Sequence, residues 1–215
     1  MDRFQTSYFL RGSHGFAQEY VQLARDLSRV GFLSMAACWF REGGGAGARF
    51  ITPILWPGAP PAADPLSEQS VRTVGALVHA MRGLPDARTD RLGLFGHSRG
   101  GGAALNYMLR VGDVQAGVLS SSRYPRQLAD IASRMKVPLL MLHGTADDPA
   151  EGGTEFTDVR MARNFEHALC AAEKPVEAVY YEGGRHNDIF ANSSRYHDEL
   201  KRMAGFYRQH LTGDA

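Results

Sequence analysis

The sequence predicts a three-layer α/β sandwich, in which a mostly parallel sheet of about six strands is covered by helices on both faces. Two observations support this class. Short β-like apolar runs alternate along the chain with longer stretches of helical periodicity, as strands joined by crossover helices do. The chain has 215 residues, which suffices for one sizeable core but not for two comfortable domains. We therefore expect residues 1–215 to form a single domain.

The first half of the chain predicts three strands and three helices. A strand at residues 7–10 is followed by a stripe of apolar residues at helical spacing, which stops at Gly31. An apolar run at residues 32–39 predicts the second strand. The other elements in this half are a helix at residues 71–81, a strand at residues 91–95 and a helix at residues 103–109.

The second half continues the same alternation, and no internal repeat or heptad interrupts it. Each of its strands is short and apolar, and each of its helices carries an apolar stripe. The predicted strands lie at residues 116–119, 138–143 and 176–181, and the predicted helices at residues 127–135, 159–172 and 196–210.

The composition excludes several classes of partner. Basic residues number 24 and acidic residues 23, so no positive excess is present to bind nucleic acid or an anionic membrane. We expect no signal peptide and no membrane span, because the longest apolar stretch is too short. Cys38 and Cys170 lack metal-ligand spacing and are predicted to be buried thiols, which suits a cytoplasmic protein. The sequence leaves a homo-oligomer open.

The strongest local motif is Gly96-His97-Ser98-Arg99-Gly100, which lies between a predicted strand and a predicted helix. This GxSxG pattern is typical of a nucleophile elbow, where small residues on both sides of the serine let strand and helix approach. The alternative is an ordinary glycine-rich turn that happens to contain serine. The flanking strand and helix favour the elbow, and Ser98 is therefore the candidate nucleophile.

A serine nucleophile needs a base, and the base needs an orienting acid. Asp147 follows a glycine turn after the strand at residues 138–143, and His186 follows two glycines after the last strand. Because carboxyl ends of parallel strands share one edge, we expect these side chains to meet Ser98 there. Asp148 is the alternative acid. His143, the last residue of its strand, is predicted to hydrogen-bond within the acid loop.

An acyl-transfer site also needs backbone N–H donors for the negative oxygen of the tetrahedral intermediate. The N–H of Arg99, directly after the nucleophile, is the first candidate. The glycine-rich loop after the first strand supplies the second, for which we select Ser13; a plain turn is the alternative. In the same loop, His14 is a candidate substrate-binding residue.

Residues 41–65 contain three consecutive glycines and five prolines, which excludes a long regular element. We predict a loop or small cap excursion in which Trp56 and Phe40 form an aromatic substrate-binding wall. The alternative is that such side chains cover an edge of the core. The apolar residues in or beside the segment are Trp39, Phe40, Phe50, Ile54, Leu55 and Trp56.

The segments at residues 91–101, 143–147 and 181–186 together resemble the α/β-hydrolase superfamily, and within it the dienelactone-hydrolase-like and prolyl-oligopeptidase-like serine esterases. The resemblance implies a three-layer α/β-hydrolase sandwich and a Ser98, Asp147 and His186 triad. A dienelactone hydrolase proper has cysteine where Ser98 stands, and the usual His-Gly of the oxyanion loop is Arg11-Gly12 here. The chain begins near the strand that is usually third, so a minimal form lacking the first strands, or a trimmed one, is expected.

The leading hypothesis is a carboxylic ester hydrolase that acts on a small-molecule ester through an acyl-enzyme. Serine peptidase and acyl thioesterase activities are alternatives within the same chemistry. A non-catalytic binding protein of the same fold is an alternative from another class, since fold does not determine function. No metal or cofactor is implied, because histidines and carboxylates lack ligand spacing and the chemistry needs none.

Overall fold

A computed structural model describes residues 4–13, 15–40, 51–151 and 153–211. Six strands form one sheet, and every neighbouring pair is parallel. The strands are β1 (Phe4–Leu10), β2 (Phe32–Ala37), β3 (Ala87–His97), β4 (Ala116–Ser120), β5 (Leu139–Gly144) and β6 (Val176–Tyr181). Their order across the sheet is β2-β1-β3-β4-β5-β6. All carboxyl ends therefore lie along one edge.

Helices connect these strands. None of the helices within the described ranges is long and apolar enough to cross a membrane. They are α1 (Gln18–Arg29), α2 (Glu68–Arg82), α3 (Ser98–Arg110), α4 (Arg126–Ala129), α5 (Val159–Ala171), α6 (Asp188–Ala191) and α7 (Ser193–Leu211), with short 3-10 turns at Ala132–Arg134 and Pro149–Glu151.

The core lies on both faces of the sheet, which makes three layers. Successive strand residues point to opposite faces, so Phe95 packs with α1 and α7 whereas Leu94 packs with α2, α3 and α5. The central strands are buried on both sides because of this arrangement. The predicted fold class is confirmed.

Several element boundaries differ from the sequence prediction. Strand β3 begins four residues earlier than predicted, and α3 begins at Ser98 rather than at residue 103. Glycines have low intrinsic helix propensity, but close packing against β1 stabilises helical geometry there. The helix predicted at residues 127–135 is instead α4 followed by a 3-10 turn, which suffices to bury Leu128 and Ala132.

The prediction of buried thiols is wrong for Cys170 and only partly met for Cys38. Cys170 is exposed and Cys38 is half-buried, and neither forms a disulfide. Helix α5 turns Ala162, Phe165 and Leu169 toward the core. Cys170 follows Leu169 by one position, a rotation of about 100°, so its side chain faces away from the core.

The loop predicted at residues 41–65 is described from Ile51 onward. Residues 51–65 form no helix or strand, apart from an isolated antiparallel bridge between Pro53 and Ala17. The Ile54 N–H donates to the Phe16 carbonyl, and the Gln18 N–H donates to the Thr52 carbonyl. This part of the segment is therefore attached to the start of α1. Residues 41–50, with Phe50, lie outside the described residues.

Gly100 determines how closely α3 approaches the sheet. A Cβ built at Gly100 would lie 2.3 Å from the Leu10 carbonyl oxygen and 2.4 Å from that of Arg11. These are backbone atoms at the end of β1, so they cannot rotate away as a flexible side chain would. Only glycine fits at this contact.

We predict that Gly100→Ala lowers the free energy of unfolding by about 1–3 kcal/mol or more, because the added methyl forces α3 away from β1. Gly205→Ala in α7 is the control, since a Cβ there meets nothing within 4 Å. That substitution should stabilise the helix by about 0.5–1 kcal/mol. Chemical denaturation of both variants measures the difference, and equal stabilities would contradict the packing argument.

Candidate active site

Ser98 occupies a strained turn between β3 and α3. Its φ is +53°, in the left-handed region that non-glycine residues rarely adopt. Gly96 lies under the turn, where a Cβ would be 2.5 Å from the Gly101 Cα. Small residues on both sides therefore permit the sharp reversal, as the motif predicts. The Ser98 side chain is 6% exposed at the carboxyl edge of the sheet.

The structure brings Ser98, His186 and Asp147 into one hydrogen-bonded chain. Nε2 of His186 lies 2.9 Å from Ser98 Oγ. Nδ1 of His186 lies 2.9 Å from Asp147 Oδ2 and 3.1 Å from Oδ1. A carboxylate only accepts, so Nδ1 carries the hydrogen and Nε2 of the neutral ring accepts from the serine hydroxyl. The geometry is that of a nucleophile, a base and an orienting acid.

The turns that carry Asp147 and His186 are bonded to each other. The Ala146 N–H donates to the Gly184 carbonyl at 2.9 Å. A Cβ at Gly144 would lie 2.0 Å from that carbonyl oxygen, so the two turns are in backbone contact. Neighbouring parallel strands β5 and β6 hold their ends in register for this contact. Asp147 and His186 therefore lie on two turns that are bonded to each other.

Asp147 and Asp148 have different surroundings. Asp147 is fully buried, and both of its oxygens face His186. Asp148 is half-buried, and its Oδ1 accepts the Ala150 N–H at 2.8 Å, which closes a local turn. The structure thus places the first aspartate of the pair, not the second, against the histidine.

His143 supports the acid from beneath. Its Nε2 lies 2.7 Å from the Thr157 carbonyl, which can only accept, so Nε2 carries a hydrogen. The same nitrogen lies 3.4 Å from Asp147 Oδ2. Burial lowers the pKa of His143, an effect that the Asp147 charge opposes. The ring is thus favoured in its neutral form, where it holds the acid loop as the sequence analysis predicts.

A buried ion pair underlies the base turn and was not found from the sequence. Arg195 and Glu199 are bonded on one face of α7, and the Arg195 guanidinium lies 3.4 Å over the Tyr181 ring. A Cβ at Gly184 would be 2.6 Å from Arg195 Nη1. Burial raises the pKa of Glu199, and Arg195 opposes that rise. In a sequence, an i,i+4 charge pair is typical of a solvated helix face. Nothing in the sequence therefore indicates that this pair is buried.

The candidate oxyanion donors lie at adjacent backbone segments. Arg99 is in the first turn of α3, where N–H groups have no carbonyl partner within the helix. Ser13 lies in the turn after β1, with its side chain exposed. The contact between Gly100 and the end of β1 brings the two segments together. The role of the Arg99 and Ser13 N–H groups as oxyanion donors stays a prediction.

The three predicted substrate-binding residues have different environments. Phe40 is 2% exposed, because the Arg11 guanidinium covers its ring at 3.5 Å. The proposed part of Phe40 in an aromatic substrate-binding wall stays a prediction. Trp56 is 60% exposed at a turn, and its contact with substrate stays a prediction. His14 lies outside the described residues.

A cavity of about 400 Å³ lies beside the elbow. Loops that follow β2, β4 and β5 surround it, and the side chain of Arg99 forms part of its wall. The Arg123 guanidinium stacks 4.6 Å from the Phe156 ring centroid. Burial lowers the pKa of Arg123, and the Arg99 charge adds to the effect. The lining residues are Asp64, Pro65, Leu66, Arg99, Arg123, Pro125, Gln127 and Phe156.

Comparisons with known proteins agree with this architecture. The model of the dienelactone hydrolase family matches residues 11–210. No curated protein sequence matches the chain. An esterase from Thermogutta terrifontis has a similar structure, with a TM-score of 0.67, 16% identity, and coverage of 100% of this chain and 87% of the esterase.

Two peptidases are also structurally similar. The Pyrococcus horikoshii acylaminoacyl peptidase has a TM-score of 0.73 and 15% identity. A puromycin-hydrolyzing peptidase from Mycobacterium tuberculosis has a TM-score of 0.73 and 17% identity. All of this chain is covered, but only 38% and 35% of the respective peptidase chains. At such identities the likeness shows the α/β-hydrolase fold alone.

We predict a pH-dependent stability that His143 contributes. Its folded-state pKa is lowered by burial, so the unfolded chain binds this proton at higher pH. Stability is therefore full above the unfolded value of about 6.5 and falls as pH drops through that value. His143→Gln, whose amide can still donate to the Thr157 carbonyl but does not titrate, should lose less unfolding free energy between pH 7 and 5.

Urea unfolding at several pH values measures this slope. His79→Gln, on the exposed side of α2, is the matched control and should keep the wild-type pH dependence. If His143→Gln keeps the full wild-type slope, the neutral buried imidazole is the wrong explanation.

Proposed function

Because the chain belongs to the dienelactone hydrolase family, we propose that it is a serine hydrolase that cleaves carboxylic esters through an acyl-enzyme. One observation carries this proposal, the continuous hydrogen-bonded chain from Ser98 Oγ through His186 to Asp147. A serine hydroxyl is a weak nucleophile unless a positioned base removes its proton. In our proposal, His186 is that base and Asp147 is the acid that orients it.

In acylation, Ser98 Oγ attacks the ester carbonyl carbon while its proton moves to His186 Nε2. Asp147 accepts the hydrogen bond from Nδ1 and stabilises the imidazolium that forms. The tetrahedral intermediate collapses when the C–O bond to the leaving group breaks. His186 then gives its proton to the departing alkoxide, and the acyl group stays on Ser98 as an ester.

The oxygen of the tetrahedral intermediate carries a full negative charge. In our proposal the N–H of Arg99 and the N–H of Ser13 donate to it. The amino end of α3 adds the positive end of a helix dipole at the same point. Such preorganised donors lower the barrier because they need no reorientation when the charge develops.

Deacylation reverses the proton transfers with water as the nucleophile. His186 Nε2 takes a proton from water, whose oxygen attacks the acyl carbon. The bond from that carbon to Ser98 Oγ breaks, and His186 returns the proton to the serine. The products are a carboxylic acid and an alcohol, and no metal or cofactor takes part in these steps.

Peptidase and thioesterase activities would use the same intermediates. The esterase of Thermogutta terrifontis supports the ester reading, since its match extends over 87% of its length. The peptidases match over little more than a third of theirs. A binding protein of the same fold would not need Ser98, His186 and Asp147 at bonding distance. Ester hydrolysis is therefore the function that we put forward.

The cavity beside the elbow suggests what one side of the ester carries. Among the described residues that line it, Arg99 and Arg123 contribute two guanidinium groups and Asp64 one carboxylate. Guanidinium groups bind carboxylates strongly in partly buried sites. We propose that an ester with a terminal carboxylate is preferred over its uncharged analogue.

Ser98→Ala should lower ester hydrolysis by about 10⁴-fold or more while the chain stays folded, since only the nucleophile is lost. A fluorophosphonate probe should label the wild-type serine but not this variant. Hydrolysis of 4-nitrophenyl butyrate and mass spectrometry of the labelled peptide measure both effects. Wild-type activity in Ser98→Ala would contradict the mechanism, and a folded wild type that neither hydrolyses esters nor takes up the probe would indicate a binding protein.

Asp147→Asn should reduce kcat by about 10²–10⁴-fold, because the amide no longer holds His186 in the required tautomer. Asp148→Asn is the matched control, with the same chemical change one residue away. It should keep nearly full activity, since Asp148 bonds within its own turn. The larger defect in Asp148→Asn would reassign the acid.

Arg123→Gln should lower kcat/KM for mono(4-nitrophenyl) adipate by about tenfold. The kcat/KM for 4-nitrophenyl hexanoate should change little. The two esters differ mainly in the terminal carboxylate. Arg126→Gln is the control, because the Arg126 side chain is 91% exposed and does not line the cavity. Equal losses on both esters would show that Arg123 does not recognise charge.

A further inference from the structure

The peptide group between Arg11 and Gly12 is held from both sides. Its carbonyl oxygen accepts the indole N–H of Trp39 at 3.1 Å. Its N–H, which belongs to Gly12, donates to the Tyr20 hydroxyl oxygen at 2.9 Å. With this peptide fixed, the orientation of the following N–H, that of Ser13, depends on few remaining torsions. Tyr20 therefore acts on the loop that supplies the proposed second oxyanion donor.

The same tyrosine is bonded to the residue before the nucleophile. Tyr20 Oη lies 3.1 Å from Nδ1 of His97. Nε2 of His97 lies 3.3 Å from the main-chain carbonyl oxygen of His186. Three buried hydrogen bonds thus connect the Gly12 N–H to the backbone of the base.

The chemistry of these groups assigns the donor and the acceptor in each of these three bonds. The His186 carbonyl can only accept, so Nε2 of His97 is the donor and Nδ1 of the neutral ring is the acceptor. The Tyr20 hydroxyl therefore donates to Nδ1 and accepts from Gly12. Burial raises the pKa of Tyr20 well above its ordinary value, which keeps the hydroxyl protonated for this donation.

Both side chains are enclosed. Tyr20 is 1% exposed and His97 is fully buried. Phe190 of α6 packs edge-on against both rings, at centroid distances of 4.8 Å and 5.3 Å. Displacement of one ring therefore displaces the other.

We propose that Tyr20 and His97 are positioning residues that couple the oxyanion loop at residues 11–13 to the turn that carries His186. We name the Gly12, Tyr20, His97 and His186 bonds the positioning relay. This inference rests on the proposed hydrolase function. The relay fixes the position of the Ser13 N–H, the proposed donor to the negative oxygen, relative to His186, the proposed base. One conformation therefore places both groups correctly. Neither side chain touches substrate.

A merely structural role predicts something different. Loss of a buried hydrogen bond would then lower stability and leave the folded enzyme fully active. A positioning role predicts that kcat falls in fully folded protein while KM stays nearly constant, because the misplaced groups act in the transition state.

The first test is Tyr20→Phe, which removes only the hydroxyl. We expect kcat for 4-nitrophenyl butyrate to fall by about 10- to 100-fold, while KM changes by less than about twofold. This loss of kcat is smaller than the largest loss, about 10³-fold, that removal of an oxyanion donor causes. The rate of labelling by a fluorophosphonate should fall in parallel, since its phosphoryl oxygen uses the same donors. Assays run well below the melting temperature of the variant ensure that only folded protein is compared.

Tyr207→Phe is the matched control. Tyr207 is also a fully buried tyrosine, and within the described part of the chain its hydroxyl has no hydrogen-bond partner. It packs against Gly93 in the middle of β3, away from the site. This variant should keep wild-type kcat and KM.

The second test is a double-mutant cycle with His97→Gln, whose amide can donate to the His186 carbonyl but does not reproduce the imidazole acceptor for Tyr20. If the two residues act through one relay, His97→Gln should cost much less kcat in the Tyr20→Phe background than in the wild type. If the two residues have independent structural roles, the fold-loss of kcat in the double variant should equal the product of the losses in the two single variants.

The outcomes separate the relay from the function on which it rests. An active wild type whose kcat is unchanged by Tyr20→Phe, or whose two variants have multiplying losses, overturns the relay alone. A wild type that shows neither ester hydrolysis nor probe labelling overturns the proposed function and the relay with it. A kcat loss without a matching KM change, together with the non-multiplying cycle and an active Tyr207→Phe, supports the relay.

Discussion

The site depends on a backbone-to-backbone contact between the start of α3 and the end of β1. Without a Cβ at Gly100, the helix approaches the Leu10 and Arg11 carbonyls more closely than any other residue allows. That approach turns the chain sharply at Ser98 and forces its φ to +53°. It also places the first helical N–H groups beside the turn at residues 11–13. The turn at Ser98 and the closeness of the two segments proposed to supply the oxyanion donors are thus consequences of one steric condition.

The features that follow from local rules could be predicted from the sequence. Six apolar runs separated by helical stripes predict a parallel sheet, since parallel strands are buried on both faces. Parallel strands end at one edge, so a serine, an aspartate and a histidine after three strands are expected to meet. The structure brings Ser98, Asp147 and His186 together at that edge.

The features that depend on tertiary contacts could not be predicted. Tyr20 belongs to the apolar stripe of α1, where nothing in the spacing separates a packing ring from one with a bonded hydroxyl. Phe40 is predicted to form part of an aromatic wall, and nothing in the sequence indicates that the guanidinium of Arg11, at the end of a distant strand, covers its ring. The cavity likewise joins Arg99 of helix α3 and Arg123 of the loop after β4. Periodicity describes each element alone, whereas these roles arise between elements.

The distance along the chain between the parts of the site has a consequence for how the protein acquires activity. Ser98 and His186 are 88 residues apart, and Asp147 and His186 are 39 apart. Strand β6 is at the edge of the sheet and is the last strand made during synthesis. In the proposed mechanism, Ser98 has no base beside it until β6 docks on β5. Long-range parallel pairing is slow to form, so the proposed nucleophile gains its base only with completion of the sheet.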